Sequence, residues 1–213
     1  MNAGAVATLA TTSMAEGLHG VAQDESLRAN TYSLLGALLA APPAESLIHL
    51  LTQITPATVA GHDDLAAAWE VLRLAGERAS IESLDDEYHE LFVGIGRGEL
   101  VPYGSWYMTG FLMDQPLAIL RRDLAELGFE RQEDTKEPED HVAALLETMG
   151  LLIGESDATV DVQRRFFQSH MAPWMNTFFL DLQKASAARF YRAVGQFGEQ
   201  FIVFERKYLT MLV

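Results

Sequence analysis

Residues 137–153 read EPEDHVAALLETMGLLI, and this stretch decides the fold class. Val142, Leu145, Leu146, Met149, Leu152 and Ile153 recur in steps of three and four, which draws one apolar stripe along a helix. Pro138 suits a first helical position and acidic residues suit a helix N-terminus, so the pattern predicts a helix opening at Pro138. Outward on both sides the same period continues. Toward the C-terminus it predicts helices over residues 160–170, after Pro173, and along the stretch carrying Phe190, Val194, Phe197, Phe201, Phe204 and Tyr208. Toward the N-terminus, Leu27, Thr31, Leu34, Leu35, Leu38 and Leu39 share one side of a helix that Asp24 starts and Pro42 must end. Shorter helices are expected over 44–54 and 63–78, then one that a Ser83/Asp86 capping box opens and that carries Tyr88, Leu91 and Phe92. No stretch alternates with period two, and no Asn-Gly or Asp-Gly hairpin signal occurs. The expected architecture is therefore all-α: a single compact helical domain of roughly nine to ten helices over residues 24–213. A flexible arm of small, weakly polar residues, 1–23, precedes it.

Four glycines and Pro102 interrupt the period between residues 94 and 105, where a long loop is expected. The helical stripe resumes at Trp106 and runs through Phe111, Leu112, Ile119, Leu120 and Leu124, bending at Pro116 and stopping at Gly128. Ser105 stands where it would cap that helix. The run Gly94-Ile95-Gly96-Arg97-Gly98 invites comparison with a phosphate cradle, but a helix precedes it, Pro102 follows it and no Lys-Ser/Thr pair closes it, so a plain loop is the reading favoured over nucleotide binding.

Composition removes further chemistry. The 213 residues carry a net charge of −15 and no cysteine, which excludes disulfides, thiolate metal sites and Cys nucleophiles. The six histidines include no i, i+4 pair, and the two Glu-x-x-His pairs of a di-iron bundle are not supplied. A Gly-x-Ser-x-Gly elbow is missing as well. No catalytic residue, metal or cofactor is expected. So acidic a chain repels phosphate backbones and suits a basic partner rather than nucleic acid. The first basic residue is Arg28 and no apolar run reaches eighteen residues, so neither an export leader nor stable membrane insertion is expected, and the chain reads as cytoplasmic. The adjacent pairs Arg121-Arg122 and Arg164-Arg165 read as solvated helix faces.

Two constellations stand out. Pro102, Tyr103, Gly104, Ser105, Trp106 and Tyr107, with Phe111 one turn beyond, can build an apolar wall with polar rims that grips a peptide. Core filling is the favoured reading of Trp106 and Phe111 taken singly, while Tyr103 and Tyr107 are the rings expected to be exposed. The second is Glu137, Pro138, Glu139, Asp140 and His141. Carboxylates at a helix N-terminus gain about 0.3–1 kcal/mol each from the dipole, which is reason enough for their presence. The same field keeps them ionised and ready to accept a guanidinium fork. His141 can fix an acidic neighbour, touch ligand backbone, or be a buried, hydrogen-bonded histidine.

Taken in order, Tyr88, Leu91, Phe92 and Gly94, then Pro102, Gly104, Ser105 and Tyr107, then Leu127-Gly128, then Glu137 to His141 and Met149 resemble the TorD/DmsD family of redox-enzyme maturation chaperones. The resemblance spans about residues 27–208. It implies an all-helical domain, without catalytic turnover, that binds the twin-arginine leader of a molybdenum-cofactor oxidoreductase precursor and delays export until the cofactor is inserted. It implies leader contacts at Pro102, Gly104, Ser105 and Tyr107, and at Glu137, Pro138, Asp140 and His141. Tyr103 stands where the family often carries Trp, with Trp106 shifted along. The stretch from Gly96 to Leu112 is most similar to members that accompany formate dehydrogenases. Charge logic agrees: Asp140, with Glu137 or Glu139, receives the arginines while Tyr103, Trp106, Tyr107 and Phe111 shelter the apolar segment. The apoenzyme is a second expected partner, and the chain is expected as a monomer or as a dimer swapped about residues 128–136. The rival readings are a generic helical protein–protein adaptor without leader specificity and a nucleotide hydrolase built on the glycine loop.

Overall fold

A computed structural model describes residues 24–54, 63–94, 98–130, 137–154, 156 and 158–211. The expected arm 1–23, residues 95–97 of the glycine loop, most of the expected hinge, and His19 and His62 lie outside these residues.

Among the described residues ten α-helices succeed one another: α1 (24–40), α2 (Glu45–Gln53), α3 (Asp63–Arg78), α4 (Ile81–Tyr88), α5 (Gly104–Thr109), α6 (Gln115–Glu126), α7 (Val142–Gly154), α8 (Val160–Phe166), α9 (Met175–Lys184) and α10 (Phe190–Met211). Single π-helical turns extend α4 over His89–Val93 and α8 over Phe167–Met171. Among the described residues the only extended pairing is one isolated bridge between Tyr103 and His141. The chain is all-α, as its periodicity predicts.

Helix α10 is the central post. Its Phe190, Val194, Phe197 and Phe201 are buried, and it packs against α9, α3 and α4. Burial of each such side chain stabilises the fold by about 1.5–3 kcal/mol. The apolar face of α7 is buried along its length, from Val142 through Ile153. Helix α1 is fastened to the post by a buried polar network: Arg28 donates to both carboxylate oxygens of Glu205, at 2.6 and 2.9 Å, and to Gln163 on α8 at 3.2 Å. The Tyr32 hydroxyl donates to the same carboxylate at 3.0 Å, and the Tyr208 ring lies 4.2 Å beneath the guanidinium.

Four local expectations are corrected. The capping box belongs to Ser80 and Ser83, one turn earlier than Ser83/Asp86, because Ser80 is extended and accepts the Ser83 N–H while its own N–H reaches the Ser83 hydroxyl. The stripe expected to run unbroken from Trp106 is two helices. α5 opens at Gly104 and ends at Gly110, and α6 starts afresh with Pro116 in its first turn and stops where Gly128 turns left-handed at φ +82°. Phe111, Leu112 and Ile119 consequently escape the core and are 70%, 51% and 39% exposed. α7 begins at Val142 rather than Pro138, which leaves Glu137 to Asp140 in the turn before it. Finally, Arg164 is not simply solvated: its guanidinium donates to the Leu209 carbonyl at 2.8 Å as well as to Asp161.

Candidate functional site

At six residues, α5 is too short to persist by propensity, so something outside it must hold its first turn. That role falls to Asp140. The Gly104 N–H donates to the Asp140 carbonyl at 2.9 Å and the Ser105 N–H to Asp140 Oδ2 at 2.8 Å, while the Val142 N–H returns to the Pro102 carbonyl at 2.8 Å. The two sequence constellations are thus stitched together, 35 residues apart in the chain. Ser105, expected to cap α5, is instead fully buried inside its first turn, and the cap comes from the acidic turn. Position 104 favours glycine: a Cβ there would lie 3.0 Å from the Trp174 indole nitrogen, and the indole would have to give by a few tenths of an ångström.

The acids of the turn differ in their engagements. Glu137, exposed, accepts the Tyr103 hydroxyl. Glu139 accepts two N–H donors of Arg121, at 3.0 and 2.9 Å, so the first arginine of the 121–122 pair is an intramolecular partner of the turn. Asp140 is 3% exposed, and its Oδ1 is buried without a hydrogen-bond partner. His141 is buried, its ring 5.1 Å from the Tyr103 ring, and burial pushes its imidazolium pKa down against the pull of Glu137 and Asp140.

The rings are less exposed than expected. Tyr103 and Tyr107 are half-buried, and burial, joined by Glu137 and Asp181 respectively, raises both phenol pKa values. Tyr107 stacks on Trp174 at 5.5 Å and donates to Asp181 at 3.3 Å. The Trp174 indole in turn donates to the His170 carbonyl, and His170 Nε2 lies 2.9 Å from Asp123 Oδ2 on α6. Pro102 is buried, Trp106 and Pro138 are half-buried, and Phe111 stands in solvent. Two cavities, of about 350 and 530 Å³, lie elsewhere, one beside Pro173 and Arg206 and the other beside Phe129 and Val162.

Sequence reasoning missed Trp174, Asp181, Asp123 and Arg121 as supports of this region. The Arg121-Arg122 pair was visible, but no local signal tells that one of its members reaches 18 residues along the chain to Glu139. Among the described residues no group of three or more His, Asp or Glu converges in a way that would hold a metal ion. No helix there is long and apolar enough to cross a membrane.

The fold is that of a redox-enzyme maturation protein: a solved structure so described, from Archaeoglobus fulgidus, superposes with a TM-score of 0.51 at 17% identity, covering 84% of this chain and 94% of that one. The chain belongs to the family described as nitrate reductase delta subunit, whose model matches residues 60–180. It is 28% identical over 145 residues to the chaperone protein TorD of Vibrio atlanticus, covering 63% of this chain and 67% of that protein. It is 27% identical over 134 residues to TorD of Vibrio parahaemolyticus, covering 58% and 62%. The chain therefore spans about two thirds of the length of these relatives and is similar in sequence to chaperones of the TorD type over that part.

Proposed function

We propose that the chain holds the arginine-bearing export leader of a molybdenum-cofactor oxidoreductase precursor in the cytoplasm and withholds the precursor from export until its cofactor is in place. The resemblance between residues 96–112 and the partners of formate dehydrogenases makes such an enzyme the favoured client. The leader's paired guanidinium groups are received by the turn Glu137 to Asp140, with Glu137 making the first, solvent-exposed contact. Pro102, Tyr103, Gly104, Ser105, Trp106 and Tyr107 form the opposing edge, and Pro138 and His141 keep the turn in shape.

One observation carries this reading: the Asp140 Oδ1 atom is buried and has no partner. A buried charged acceptor left unpaired costs about 1–3 kcal/mol or more, and a guanidinium supplies the donors that offset this. The surface charge of −15 draws a basic peptide toward the same turn.

Calorimetric titration with a synthetic leader tests it. Asp140→Asn keeps an acceptor for the Ser105 N–H but removes the charge, so leader affinity is expected to fall about tenfold, the worth of one charged hydrogen bond. Asp140→Ala is the poorer probe because it also uncaps α5. Replacing the leader's arginines with lysines is expected to weaken binding too, since an ammonium cannot form the fork. Unchanged affinity on Asp140→Asn removes Asp140 from the role, and affinity indifferent to salt argues against recognition by charge.

A further inference from the structure

The chain bends sharply after α5, and the bend pushes apolar side chains into water. Met108, Phe111, Leu112 and Met113 are 43%, 70%, 51% and 71% exposed, within six consecutive residues. Scattered exposed apolar residues need no explanation, but four on one turn form a contiguous patch of the kind that marks an interaction surface.

The turn is held in this shape at a cost. Met113 has φ +57°, the only positive value among the described non-glycine residues. A residue with a Cβ adopts that conformation only where its surroundings impose it, and such strain gathers at binding sites. What imposes it is Ser105: the Met113 N–H donates to the Ser105 hydroxyl at 3.2 Å. Thr109 adds a second tie, its hydroxyl donating to the Ser105 carbonyl at 2.9 Å and accepting the Phe111 N–H at 3.3 Å. Ser105 is in turn fixed by Asp140, at 2.8 Å. One buried serine therefore joins the half-used carboxylate to the apolar turn. Meanwhile the rings that the sequence singled out as an apolar wall are partly spent internally, Tyr107 against Trp174 and Asp181, Tyr103 against His141 and Glu137.

We infer that the turn Met108–Met113 is the platform for the apolar segment that follows the arginines of the bound leader, and that Ser105 sets its register against Asp140. The inference rests on the leader-binding reading above and deepens it. The occupant is identified by its chemistry: basic groups for the acidic turn, then a stretch of apolar residues within reach of Met113. The buried relay from Asp140 through Ser105 to Met113 fixes the apolar turn relative to the acidic one, which selects such a segment over a uniformly apolar helix.

The test pairs two peptides with two proteins, all by calorimetry on the full chain. One peptide is the leader, and the other is the same leader with its apolar residues replaced by serine. The variant is Phe111→Ser with Met113→Gly, which removes exposed side chains and relieves the positive φ, so folding is expected to be undisturbed. The variant should bind the intact leader about tenfold more weakly, the worth of burying one large apolar side chain, and should bind the serine-replaced leader as the native chain does. Equal affinity of variant and native chain for the intact leader overturns the platform while leaving the acidic site standing. Failure of the native chain to bind either peptide removes the leader-binding reading and the platform with it. If light scattering shows a dimer that the variant dissolves, the occupant is a second copy of the chain and the inference is overturned. Ser105→Ala supplies an independent check: it loses the hydroxyl that holds Met113 but leaves the backbone N–H on Asp140, so affinity should drop more for the intact leader than for the serine-replaced one, and equal losses on both would overturn the role of Ser105 in setting the register.

Discussion

Among the described residues three carboxylates are buried, and they are used differently. Glu205 accepts from Arg28 and Tyr32 with both oxygens. Glu87 likewise spends both, accepting the N–H groups of Arg189, Phe190 and Tyr191 at 2.7–3.1 Å and thereby capping α10 from α4. Asp140 spends one oxygen on α5 and leaves the other bare. Carboxylates that serve the fold alone are saturated, since an unmet buried acceptor is costly. The half-used one sits in the turn that meets Pro102–Tyr107. The contrast teaches that the number of satisfied oxygens on a buried acid, rather than its burial, separates scaffold from candidate site.

The contrast can be broken or sharpened by substitution. The largest effect is expected at the saturated end. Arg28→Ala strands Glu205 without its ion-pair partner, and urea unfolding should report a loss of about 3–5 kcal/mol. Next comes Glu87→Ala, which uncaps three backbone donors at the head of α10. A loss of about 1–3 kcal/mol is expected by the same measurement. A loss as large for Asp140→Asn would erase the distinction, because that substitution is expected to spare most of the stability and to show itself mainly in leader affinity.

Smaller effects follow. Arg121 occupies Glu139 in the free protein, so Arg121→Gln is expected to free that acid and tighten leader binding by about two- to fivefold, the worth of an exposed ion pair. Weaker binding would instead assign Arg121 to supporting the turn. The smallest effect is in pH. Burial holds the pKa values of His141 and His170 below the ordinary value of 6.5, so both fold as neutral imidazoles. Protonation favours the unfolded chain, so the stability they contribute is whole above pH 6.5 and is lost as pH falls toward their folded pKa values. The urea midpoint should decline between pH 7 and pH 5, and it should decline less in His170→Gln.

Much of the fold was legible because its signal is local. The stripes of α1, α7 and α10, the stops at Pro42 and Gly128, and the two candidate peptide-binding segments could all be read from spacing. What escaped were boundaries and partners. The helix expected from Pro138 starts at Val142, because Asp140 is occupied with another segment's amides. Ser80 outcompeted Ser83 as a cap because either serine fits the local rule. Phe111 looked like core, and only the break at Gly110 turned it outward.

By itself the sequence determined that the chain is helical, acidic, free of cysteine, and equipped with one acidic turn and one ring-rich segment, since periodicity and composition are properties of neighbouring residues. The tertiary structure alone decided that the two segments meet. It also decided that Asp140 caps a helix other than its own, that Arg121 reaches Glu139, and that Met113 is strained into solvent. These are contacts between residues 8 to 35 positions apart, and no short-range pattern encodes which donor will find which acceptor once the helices pack.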